Sequence, residues 1–178
     1  MNHPRSVFQP LPVRSCGECR VCCVELRIED LELNKPDEVA CPHLTEGGCG
    51  IYARRPATCA TWFCGWRLIN VSDAMRPDRS RVLMTPELCT EPGYEKGGLR
   101  LVAVGGEVEA LLQEEVVDLA GRFVAQGVPM FLSYGAGDRC RRVLINEACK
   151  PSVKAGDRSG FVRALRGLLA QLSTHSAA

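Results

Sequence analysis

Beyond residue 80 the apolar positions of the chain recur with two periods, and each period predicts an element. VLMT at 82–85 and LRLVAV at 99–104 have the texture of strands, and they predict neighbours joined across a Pro- and Gly-rich connection. EVEALLQEEVVDLAGRFVAQG at 107–127 changes to helical spacing, with Val108, Leu111, Leu112, Val116, Leu119, Ala120 and Phe123 on one face and Gly127 as a stop. VPMFLSY at 128–134 and RRVLIN at 141–146 predict two more strands around Gly135-Ala136-Gly137-Asp138. Phe161, Leu165, Leu168, Leu169 and Leu172 mark a closing amphipathic helix. Residues 67–178 therefore predict an α+β lobe of ββαββα order.

The first third of the chain has no such regularity. Residues 1–15 hold three prolines and read as an extended leader, lying on the surface or frayed, with no role for His3. VELRIEDLEL at 24–33 fits a strand or a short helix equally well, and Lys35-Pro36-Asp37 ends it. From Cys41 to Cys64, prolines and the Gly47-Gly48 pair cut the chain into short elements that return in tight turns. Residues 16–66 thus predict a loop-rich lobe packed on the α+β lobe.

Charge narrows the partners. The net charge is +1 with a pI near 7.5, so no long-range field draws in nucleic acid or an anionic membrane surface. Arg54, Arg55, Arg139, Arg141 and Arg142 are interleaved with acids through the chain and lack an aromatic stacking ladder, which makes them a solvated surface. No apolar run approaches the roughly 20 residues of a membrane helix, and the N-terminus has no apolar core followed by a small-residue cleavage site. A cytoplasmic protein is expected. In that compartment disulfides are not the default, and the odd total of 11 cysteines also argues against complete pairing.

The cysteines carry the chemistry. In CGECRVCC, Cys16, Cys19 and Cys22 recur at every third position and Cys23 follows directly; Cys41, Cys49, Cys59 and Cys64 come soon after. A small apolar core does not require that spacing. Thiolates are soft ligands for zinc or for iron in an iron–sulfur cluster, about four to a centre, so this set suits one centre with spares or two. Three thiolates at every third position with a distant fourth resemble the layout of bacterial ferredoxins. Structural zinc more often uses two well-separated CxxC pairs, so the spacing leans to iron and leaves zinc as the alternative.

CGECRVCC followed by CPHL, CGIYARRPATC and WFC resembles the CxxCxxCC, or YkgJ-like, family of zinc- or iron-chelating proteins. The resemblance covers about residues 16–66. It implies that Cys16, Cys19, Cys22, Cys23, Cys41, Cys49, Cys59 and Cys64 are the chelating set, with Ile51, Tyr52, Arg55 and Pro56 as the family's structural IY…RP signature. The same motif occurs in a flagellin lysine N-methylase, although nothing here matches the much longer remainder of that enzyme.

The remaining candidates are weaker. Cys89, Cys140 and Cys149 are isolated in strand-like stretches and read as ordinary core or surface residues, and His43 as a solvent-facing or supporting histidine rather than a ligand. Trp62, Phe63 and Trp66 bracket Cys64 and suit either a shield for a cluster or a small core. Glycine pairs at 97–98 and 105–106 form no phosphate-binding loop, and no GxSxG or HExxH is present. A Cys–His–Asp nucleophile has only His3, His43 or His175 to draw on, and the sequence singles out none of them. Three function classes follow: a redox or electron-transfer cluster, a zinc-stabilised module that binds an unidentified protein, and an enzyme or accessory subunit with an open coordination position.

Overall fold

A computed structural model describes residues 11, 13–94, 97–135 and 140–174. The expected leader lies largely outside them, as do His3, His175, Arg139 and residues 136–138 of the predicted turn.

The cysteine-rich stretch folds into short pieces. Helix α1 (Val21–Glu25) leads into the hairpin of β1 (Ile28–Glu29) and β2 (Asn34–Lys35). VELRIEDLEL is therefore neither one strand nor one helix; it is divided at Leu26, where the backbone turns extended. Asp30 and Leu33 exchange backbone hydrogen bonds of 3.0 and 3.3 Å and close the hairpin. A second hairpin joins β3 (Leu44–Thr45) to β4 (Gly48–Cys49). The helical turns α2 (Ala57–Thr61), α3 (Gly65–Leu68) and α4 (Pro77–Ser80) complete this part.

The second part is a four-stranded sheet. Strand β5 (Val82–Leu88) pairs antiparallel with β6 (Gly97–Ala103), in register from Val82↔Ala103 to Leu88↔Gly97. Helix α5 (Glu114–Ala125) carries the chain over to β7 (Met130–Tyr134), which runs parallel to β6, and β8 (Arg141–Leu144) returns antiparallel to β7. The sheet order is β5-β6-β7-β8. Helices α6 (Asn146–Lys154) and α7 (Arg158–Thr174) follow. Both helices and sheet are present, as an α+β fold requires.

Alternation along the strands divides the apolar side chains into two sets. Val82, Met84, Leu99, Leu101, Ala103, Met130 and Leu132 bury against α5, Cys149 of α6, and Phe161, Leu165 and Leu169 of α7. Leu83 and its cross-strand partner Val102 belong to a separate cluster with Val21, Val104, Cys19, Leu26, Trp62 and Cys64. The sheet is thus the floor on which the cysteine-bearing loops rest.

Two predicted elements need correction. The helix expected over 107–127 is broken: Val108–Leu112 is a 3-10 turn, and Gln113 is extended (φ −61°, ψ 149°) before α5 starts. Glu114 and Glu115 then occupy the first turn of α5, where the helix dipole favours acids. Both kinds of helix place positions three apart on one side, so the apolar pattern runs through the break without registering it. The stop at Gly127 holds, with φ +72° and its N–H bonded to the Val124 carbonyl.

The stretch RRVLIN stops being a strand at Leu144, and α6 follows where no element was expected. Asn146 makes this possible. Its Oδ1 accepts from Met130 N–H at 2.8 Å and its Nδ2 donates to the Val128 carbonyl at 2.8 Å, so a side chain satisfies the start of β7 while the backbone turns helical.

Candidate metal centre

Each cysteine is placed by its local backbone. Gly17 takes a left-handed conformation (φ +53°), which folds Cys16–Cys19 into a turn closed by the Cys19 N–H on the Cys16 carbonyl at 3.0 Å. Cys22 and Cys23 sit side by side in α1. The Cys41 N–H donates to the Cys23 carbonyl at 2.9 Å, and Cys49 stands opposite Leu44 in the second hairpin. In that hairpin Gly48 (φ +112°) comes so close to the Gly17 carbonyl that a Cβ would lie 3.3 Å from it.

Cys59 is carried by α2. The Asp30 carboxylate accepts from the Thr58 hydroxyl at 2.7 Å, tying α2 to the first hairpin, and this bond holds the Asp30 carboxyl below its usual range. Cys64 precedes α3, whose Gly65 lets the helix approach β5: a Cβ there would meet Met84 Cβ at 2.6 Å. Arg14 fastens the outer side of α3 by donating to the carbonyls of Trp66, Ile69 and Val71.

All eight predicted ligands line one cavity of about 250 Å³, together with Ile51, Tyr52, Arg55, Pro56, Trp62, Phe63 and Trp66. Cys89, Cys140, Cys149 and His43 do not line it. Cys149 lies in α6, a helix, where a strand-like setting was expected. Among the described residues, no three histidine, cysteine, aspartate or glutamate side chains converge closely enough to hold a metal ion as they stand. The thiols encircle a space instead.

The electrostatics separate the thiols. Cys22 and Cys23 share a hydrogen bond that raises the pKa of Cys22, the donor, with burial adding to the rise. The same bond lowers the pKa of Cys23, against the effect of burial, and the charges of Lys35 and Arg55 assist. Burial pushes Cys64 up to about 11 and also raises Cys19. Cys59 is raised by burial first and then by the charges of Cys23, Cys41 and Cys49.

Two basic residues escaped the sequence reading. Lys35 is 2% exposed, and its Nζ donates to the carbonyls of Val24 and Pro36 at 2.9 and 2.8 Å. Burial lowers its pKa, while Asp37, Cys41 and Cys23 oppose that shift. Arg67 lies over the Phe63 ring and directs Nη1 at Cys16 Sγ, 3.6 Å away. An isolated lysine beside a proline and an arginine in a helical turn carry no signal of this kind. Among the expected arginines, Arg55 stacks on Tyr52 at 4.0 Å within the cavity, whereas Arg142 pairs with Glu87 on the sheet.

The surroundings suit a thiolate-bound metal group. The donors are uniformly soft. Arg67 Nε and Trp66 Nε1, from residues lining the cavity, are buried without an acceptor among the described residues, and such donors suit the sulfur of an anionic centre. No helix among the described residues is long and apolar enough to cross a membrane. The chain matches no family model, no curated protein and no solved structure.

Proposed function

We propose that this chain is a metal-binding cysteine-cluster protein of the CxxCxxCC, or YkgJ-like, kind, and that its cavity carries iron–sulfur chemistry in a redox or structural role. The observation that carries this reading is the gathering of eight cysteines, spread from position 16 to 64, around one cavity of about 250 Å³. A single zinc would need four thiolates at about 2.3 Å from one point, whereas a cluster occupies a volume and spaces its ligands around it. When bound, such a group supplies reversible one-electron transfer or a rigid cross-link between loops.

The protein's own residues have separate tasks. The Gly17 turn, α1 and the second hairpin carry thiols to the cavity, Arg67 donates to the Cys16 sulfur, and Trp62, Phe63 and Trp66 wall the cavity with aromatic rings. Because burial keeps thiols such as Cys64 protonated, loading must release protons and strengthens as pH rises.

A structural zinc site is the second reading, supported by the Cys16–Cys19 turn, whose CxxC spacing is the usual zinc-binding unit. Iron, zinc and acid-labile sulfide, measured on protein purified without oxygen or added metal, decide between them. Iron with matching sulfide and a band at roughly 400 nm is expected. Zinc without sulfide transfers the assignment to the second reading, and folded protein with neither metal overturns both.

A further inference from the structure

Resting on that metal-binding reading, we propose that the eight cysteines form two separate centres. One has Cys16, Cys19, Cys22 and Cys64 as ligands; the other has Cys23, Cys41, Cys49 and Cys59.

The backbone makes the same division. In the first group, Cys16 and Cys19 share the Gly17 turn, and Arg67 links that turn to Cys64: its Nη1 lies 3.6 Å from Cys16 Sγ and its N–H donates to the Cys64 carbonyl at 2.9 Å. In the second, Cys41 N–H donates to the Cys23 carbonyl at 2.9 Å, and Leu44, which bonds the Cys41 carbonyl, is the pairing partner of Cys49.

Packing repeats it. Cys19 and Cys64 lie against Val21, Leu83 and Val104, while Cys23 and Cys59 pack with Cys41 around Ile28 and Leu33. The two apolar clusters have no cysteine in common.

Cys22 and Cys23 form the divide. They are successive residues of α1, about 100° apart around the helix, and their thiols meet in a hydrogen bond, so α1 is where the two groups adjoin. Cys22 completes the every-third-position run begun by Cys16 and Cys19, whereas Cys59 packs with Cys23 and Cys41. Each group also has its own cation: Arg67 stands at Cys16, and buried Lys35 beside Cys23 and Cys41. A four-thiolate centre is an anion, and two buried anions need two sources of compensation.

Native mass spectrometry with iron, zinc and sulfide analysis of the full chain tests the division. Two [4Fe–4S] centres give about eight irons and eight sulfides per chain; in the zinc case the expectation is about two zincs. Cys64→Ala and Cys49→Ala should each keep half of the metal. The pair Cys16→Ala/Cys64→Ala should keep the same half, and Cys64→Ala/Cys49→Ala should keep none. Far-UV circular dichroism establishes that each variant still folds. For any variant that does not, the wild-type inventory decides, and in the iron case the paramagnetic resonance of the reduced protein should show coupling between two centres.

A wild-type inventory of one centre, or a folded single variant that loses everything, overturns the division and leaves the metal-binding reading standing. Wild-type protein with neither iron nor zinc removes that reading first.

Discussion

The four-stranded sheet and the cysteine-bearing loops are held in different ways. Val82, Met84, Leu101, Met130, Leu132 and Leu165 are all fully buried, and each such side chain stabilises the fold by about 1.5–3 kcal/mol. Between Cys16 and Cys64 nothing is comparable: the strands are two residues long, the helices five, and Val21, Ile28 and Leu33 are the best-buried aliphatic side chains. Helices that short do not persist without tertiary support. On the metal-binding reading, metal–thiolate bonds supply what burial supplies in the sheet. The lesson is that one chain can place its apolar order and its ligand order in different segments and join them at the sheet, here through Leu83, Val102 and Val104 and through the approach of Gly65 to Met84.

The largest test of this contrast is removal of the metal. Structural zinc contributes about 10 kcal/mol or more to small thiolate domains, so its loss should release nearly all ordering of the loops. Amide hydrogen exchange should accelerate strongly across residues 16–64 on chelation, while amides of β6 and β7 keep their protection. Uniform acceleration through the sheet would show one cooperative unit, and unchanged exchange in the loops would show that metal does not hold them.

The next effect distinguishes the two apolar sets by one chemical change. Leu101→Ala removes a fully buried side chain on the helix-covered set and should cost about 2–5 kcal/mol with no change in metal content. Leu83→Ala, 1% exposed among Cys19, Cys64 and Trp62, should cost a similar amount and also speed the loss of metal to a chelator. Equal chelation rates in the two variants would mean that the sheet does not support the cavity.

Legibility in the sequence follows the same contrast. β5 and β6 were readable because the continuous apolar run of VLMT and the alternation of β6 both reflect burial, and burial is what the sheet depends on. The break at Gln113 was hidden because apolar spacing survives it, and α6 because the signal for its start is the side chain of Asn146 standing in for a strand. At the cavity the cysteines could be read from their clustering together with the family resemblance. Lys35 and Arg67 could not, since their positions depend on how the first hairpin and α3 meet the thiols, a long-range property that local pattern does not encode.

The smallest effect belongs to a cysteine that stands apart from the cavity. Cys149 is fully buried in the helix-covered core, and burial pushes its thiol from the ordinary 9.0 up to about 11. Below pH 9 both folded and unfolded chains keep this proton, so its contribution is constant. As pH rises from 9 toward 11 the unfolded chain ionises and the folded chain resists, so stability falls, by about 2–3 kcal/mol once the folded thiol also titrates. Tyr94, raised to about 12 chiefly by burial, extends the same trend to higher pH. Cys149→Ala should start less stable near neutrality and then lose less with alkali, so that urea-unfolding free energies of variant and parent converge between pH 9 and 11. Parallel curves would mean that the unfolded and folded chains ionise this thiol alike, and that alkaline loss in the sheet has another source. Because Cys149 lines no part of the cavity, the convergence should be the same in metal-loaded and chelated protein, which separates this thiol's titration from proton release at the thiols of the cavity.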